Sequence, residues 1–150
     1  MSRLDENLVR QEWMGLLAQA PSEVLEECTA AFGEMPSFDW LRSPEIGTVM
    51  VRGRTGATGR AFNLGEITVT RCVLRLNSGE VGHAAVQGRN KSHATTAAIF
   101  DALMQGNAAQ RVWTHVLEPI SSALEHRRTA RAERAAATKV EFFTMVRGED

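Results

Sequence analysis

Between Glu66 and Gln87 the chain alternates in a way that only a hairpin satisfies. Thr68, Thr70, Cys72, Leu74 and Leu76 fall on one face of an extended segment, and Ile67, Val69, Arg71, Val73 and Arg75 fall on the other. Asn77-Ser78-Gly79 follows, a short loop with a glycine available for positive φ, and Val81–Gln87 then pairs back. Upstream, Thr48–Arg54 also alternates, with Val49 and Val51 on one face, and breaks at Gly53-Arg54-Thr55-Gly56-Ala57-Thr58-Gly59. Strands joined by such short connections are antiparallel. The sequence therefore predicts an antiparallel sheet of residues 47–54, 62–76 and 80–88.

Helices flank it. Leu4, Leu8, Val9, Trp13, Leu16 and Leu17 recur at helical spacing over residues 4–18, and Ala20-Pro21 stops that helix. Pro21 opens a second helix with Val24, Leu25, Cys28 and Phe32 on its apolar face, closed by Gly33. Residues 34–46 carry two prolines and read as loop, a short extended piece near Phe38–Arg42, then a turn. After the last strand a helix from Ser92 to Gln105 presents Ile99, Phe100, Leu103 and Met104. It follows the strand directly, so it is expected to pack on one face of the sheet. Ala108–Leu117 begins another helix, and Pro119 breaks or kinks it ahead of a third that runs to about Thr138. Residues 126–137, HRRTARAERAAA, have strong helix propensity and little apolar face, so that helix is solvated or covered by a partner. Val140–Val146 returns to strand character. The fold class is α+β, an antiparallel sheet packed against several helices, with residues 1–150 forming a single domain.

Charge is unevenly placed. Residues 1–45 hold three basic and nine acidic side chains, a net of −6, whereas residues 46–91 hold seven and two, a net of +5. A basic middle suits an anionic ligand or an acidic surface, including the chain's own acidic start. The overall net charge of −1 argues against a nucleic-acid binder. No apolar run reaches the ~20 residues that cross a bilayer, and MSRLDENLVRQEW lacks the apolar core of a signal peptide. Cys28 and Cys72 are then free thiols of a cytoplasmic protein.

Two stretches invite anions. The glycine loop 53–59 is neither a dinucleotide fingerprint nor a Walker A sequence, but it is either a plain turn or a backbone cradle for phosphate. Gly88-Arg89-Asn90-Lys91-Ser92-His93 enters a helix, where free amides and the dipole favour negative charge. Arg89, Lys91 and His93 are the candidate anion-binding residues there. Arg54 and Arg60 border the glycine loop, and would face the same place if strands 47–54 and 80–88 are neighbours. His83, His93, His115 and His126 lack metal-ligand spacing, no Ser or Cys sits in a nucleophile motif, and no active site is complete.

GATGRAFNLGE (Gly56–Glu66), TRCVLRL (Thr70–Leu76), GRNKSHA (Gly88–Ala94), DALMQ (Asp101–Gln105) and EFFTMVRGED (Glu141–Asp150), with RQEWM (Arg10–Met14) before them, together resemble PhnG, the G-subunit family of the bacterial phosphonate carbon–phosphorus lyase system. One position departs: Asn90 stands where the family usually shows Asp. The resemblance implies a cytoplasmic complex with PhnH, PhnI and PhnJ. With PhnL it supports displacement of adenine from MgATP by a phosphonate, giving a ribose 1-phosphonate 5-triphosphate. The nucleosidase chemistry is attributed to PhnI, and a radical iron–sulfur subunit later cuts the C–P bond. The chain would then be a subunit of ribose 1-methylphosphonate 5-triphosphate synthase, a transferase, inactive alone and without a cofactor of its own. MgATP would be substrate of the complex, and no catalytic motif maps onto these residues. Competing readings are a scaffold subunit or a stand-alone phosphate- or nucleotide-binding module. The apolar tail, with Phe142, Phe143, Met145 and Arg147, is expected at a subunit interface.

Overall fold

The computed structural model describes residues 3–138, with side chains from residue 7 onward. The predicted interface residues Phe142, Phe143, Met145 and Arg147, and the predicted strand at 140–146, lie outside the described residues.

Helix α1 (Arg3–Gln19) and helix α2 (Ser22–Phe32) come first, then strands β1 (Phe38–Arg54), β2 (Ala61–Leu76) and β3 (Val81–Gln87), then helix α3 (Lys91–Leu103). A final rod comprises α4 (Ala109–Val112), one wide π-helical turn (Trp113–Leu117) and α5 (Glu118–Ala137). The sheet is antiparallel in the order β1-β2-β3, as the alternation predicts. Gly79, at φ 111°, makes the tight β2–β3 turn.

Alternation places the core. Thr70, Cys72, Leu74 and Leu76 of β2 and Ala84 and Val86 of β3 are buried on the face that carries α3. The apolar edge of α3 answers with Ala94, Ala97, Ala98 and Phe100. Leu17 of α1, Leu25 and Phe32 of α2, and Val112, Val116, Leu117 and Ile120 of the rod close the same cluster. The Phe32 and Phe100 rings meet edge to face at 5.3 Å. The Cys72 thiol donates to the Ala94 carbonyl, and burial pushes it up to about 11. Both cysteines are buried free thiols.

Three expectations are corrected. β1 begins at Phe38: the extended piece expected near Phe38–Arg42 is its start, and the turn expected after it is strand as well. Register irregularities between Trp40 and Arg42, and between Arg42 and Glu45, absorb Ser43-Pro44. β1 is an edge strand, where proline withholds no ladder hydrogen bond that a neighbour needs. Pro119 opens a further helix as expected, but the helix ahead of it does not break there. The proline sits in the first turn of α5, and backbone angles stay helical from Val112 through Glu118 because the wider π-turn directly ahead takes up the ring. Finally, Leu8 and Val9 of α1 are exposed, and burial begins further along with Trp13, Leu16 and Leu17.

Candidate anion-binding groove

Asn90 caps α3: its side-chain Oδ1 accepts from the His93 amide at 2.9 Å. Aspartate could accept the same bond, so the departure from the family pattern leaves the cap intact. Gly88 turns the chain at φ 95°, and its carbonyl accepts from the Thr70 hydroxyl at 2.7 Å. Arg89 and Lys91 consequently project into solvent at the helix start.

His93 does something different from its neighbours. Its side chain is buried, and its Nε2 donates to the Leu17 carbonyl at 2.8 Å. That carbonyl is in the last turn of α1, where helix geometry leaves it without a partner. The imidazole therefore ties the start of α3 to the end of α1.

Arg54 and Arg60 are elsewhere. β2 separates β1 from β3, so the condition for a shared site is not met. Arg54 pairs in register with Ala61, whereas β3 ends opposite Val69. Eight residues of strand put the Arg54/Arg60 tip roughly 26 Å from the basic turn. At the tip, Arg54 donates to the Gly59 carbonyl and the Gly59 amide donates to Thr55, so the glycine loop satisfies part of its own backbone.

The basic turn has other company. A broad open groove of about 890 Å³ runs between the end of α1, the outer face of β2–β3 and α5. Its floor is Leu16, Val69, Ala85 and Leu124. Its rim carries Gln19, Gln87, Ser121, Arg127, Arg128 and Arg131. Arg127 and Arg131 are four residues apart and share a helix face. Glu125 offsets only Arg128, by an exposed 3.3 Å pair worth at most about 1 kcal/mol. Gln87 immediately precedes the Gly88 turn, whereas Arg89 and Lys91 are not among the residues that line the groove. Sequence reasoning saw the arginines of α5 but had no way to aim them; the available signal was their helical spacing beside Leu124.

Other charged groups are committed to the fold. Asp101 is fully buried. Its Oδ1 accepts from Arg10 Nε at 3.1 Å and Trp13 Nε1 at 2.8 Å, and its Oδ2 from Arg10 Nη2 at 2.6 Å and the His83 amide at 2.9 Å. Gln105 donates to the Val81 carbonyl at 2.8 Å. The RQEWM and DALMQ blocks that carry the resemblance thus meet in one polar cluster clamping α1, β3 and α3 together. Among the described residues no group of three or more His, Cys, Asp or Glu is arranged to hold a metal ion. No described helix is long and apolar enough to cross a membrane.

Sheet, helical layer and groove define an α+β protein with Arg127, Arg128 and Arg131 grouped along one open cleft. The family model for "Phosphonate metabolism protein PhnG" matches residues 9–148. A curated relative from Rhizobium meliloti (strain 1021), named alpha-D-ribose 1-methylphosphonate 5-triphosphate synthase subunit PhnG, is 48% identical over 142 residues, covering 94% of this chain and 90% of the relative. The chain belongs to the PhnG family of phosphonate metabolism proteins.

Proposed function

We propose that the chain is the G subunit of a ribose 1-phosphonate 5-triphosphate synthase, working in the cytoplasm with PhnH, PhnI and PhnJ and assisted by PhnL. The reaction is displacement of adenine from MgATP by a phosphonate, a transfer that leaves the triphosphate intact. The observation that carries this reading is the 48% identity, over 94% of the chain, to a subunit of that synthase.

The residues suggest what the subunit contributes. Asp101 and His93 are committed to structural hydrogen bonds, and the Cys72 thiol stays protonated far above neutral pH. What remains accessible is positive charge: Arg89 and Lys91 at the start of α3, and Arg127, Arg128 and Arg131 along the groove. In the assembled enzyme these side chains hold the polyphosphate or phosphonate oxyanions, and MgATP is substrate of the complex rather than a cofactor of this chain. A charge-assisted contact is worth roughly 1.5–3 kcal/mol when partly buried and much less when exposed.

The test is the assembled complex carrying Arg89→Ala with Lys91→Ala. Adenine release from MgATP in the presence of methylphosphonate is expected to fall by about tenfold or more, some 1.4 kcal/mol, with assembly intact. A normal rate and normal substrate affinity would reduce the basic turn to a solvated one. Failure to assemble would make it an interface feature and favour the scaffold reading.

A further inference from the structure

β1 and β2 continue well past the end of β3. Beyond the Val69↔Gln87 pair they run on alone, Thr48–Arg54 against Ala61–Thr68, as a two-stranded arm. Such a ribbon is marginal in water unless something packs on it. Yet this arm exposes large apolar side chains: Val49, Met50, Phe62 and, at 67% of its surface, Leu64.

Their arrangement is ordered. Val49, Val51 and Gly53 alternate onto one face of β1, and their partners across the ladder include Ile67 and Phe62. The pairing skips Leu64, and that bulge keeps Phe62 in phase with Val49. A Cβ at Gly53 would meet the Phe62 ring at 3.4 Å, so the ring lies across the glycine. The result is an apolar stripe of Val49, Val51, Ile67 and Phe62, which leads back through Val69 into the arginine-rimmed groove. The opposite face carries Arg52, Asn63 and Glu66, and Arg54 and Arg60 stand at the tip.

We infer that the arm is a docking element seated in a different subunit of the synthase, in an apolar cleft bordered by carboxylates. This rests on the assembly proposed above. Charge selects the occupant. Between Thr48 and Thr68 the arm holds Arg52, Arg54 and Arg60 against Glu66, so pairing two arms would gather six arginines against two glutamates. An arm reaching another copy's acidic helices in head-to-tail fashion closes only if the rotation between copies completes a ring, and otherwise propagates. A larger partner that covers the stripe and neutralises the tip meets both demands, and it also covers the open hydrogen-bonding edge of β1.

The test is a photo-crosslinker, p-benzoylphenylalanine in place of Leu64, in the full chain co-expressed with PhnH, PhnI and PhnJ. Irradiation of the purified complex is expected to yield adducts with one of those subunits. Adducts only with a second copy, or only with residues 139–150 of the same chain, would overturn the inference, as would an assembled complex giving no adduct. In parallel, Val49→Ser with Phe62→Ser is expected to lower recovery of the complex at least tenfold while the variant chain keeps its unfolding midpoint. Unchanged recovery would overturn it. The unsubstituted chain is the control: if it fails to assemble, the proposed function itself falls. If it assembles and the arm variants behave like it, only the docking inference falls.

Discussion

Asp101→Ala is expected to cost about 3–5 kcal/mol of folding stability, the range for removing one partner of a buried ion pair. The carboxylate is fully buried and takes four hydrogen bonds, from both Arg10 nitrogens, the Trp13 indole and the His83 amide. Truncation leaves the half-buried Arg10 guanidinium without its anion and two further donors unpaired at once. The three donor residues lie on α1 and β3 while Asp101 lies on α3, so the loss loosens three elements together. Urea unfolding followed by tryptophan fluorescence reads it, with Trp13 as a reporter in the cluster. A loss of this size in a 150-residue chain lowers the melting temperature by about 10 °C. Asp101→Asn should fall between, because one carboxylate oxygen becomes an amide that faces donors. A change below about 1 kcal/mol for the alanine variant, the usual net worth of a single hydrogen bond, would show that the cluster does not hold the elements together.

Gly82→Ala is expected to be nearly as damaging for the opposite reason. A Cβ there would sit 1.8 Å from the Ala98 carbonyl oxygen and 3.0 Å from the Ala102 Cβ. Helix α3 lies directly on β3 at this point, and backbone cannot yield as a side chain can. The helix must lift off the sheet, at a cost of about 3 kcal/mol or more. The same movement breaks the Cys72 thiol contact with Ala94. Two readings should therefore change together: a lower unfolding midpoint, and faster alkylation of a thiol that burial otherwise protects. A variant with an unchanged midpoint and an unreactive Cys72 would contradict the close approach.

How far the sequence went depended on the range of each signal. The strands at 47–54, 62–76 and 80–88 and the helix after them were legible because alternation, Gly79 and the apolar spacing of Ile99, Phe100 and Leu103 are local. The early start of β1 was hidden by Ser43-Pro44, which reads as a turn until an edge position and two register shifts make it tolerable. The helix after Gln105 was legible, but not its continuity through Pro119, which depends on one π-turn that no local pattern announces. At the site, the exposure of Arg89 and Lys91 followed from their place at a helix start. The role of His93 did not, because its partner is a main-chain carbonyl 76 positions away. The link between Arg10 and Asp101 spans 91 positions, and only the fold brings them together. Arg127 and Arg131 were visible as composition, while the groove they rim exists only once α5 lies beside the sheet.

The most direct measurement is adenine release from MgATP and methylphosphonate by PhnH, PhnI, PhnJ and PhnL, with this chain supplied or withheld. If the chain is the G subunit of the synthase, release falls to the background of MgATP alone when it is withheld and returns when the purified chain, co-folded with its partners, is present. The same rate with and without the chain would contradict that assignment.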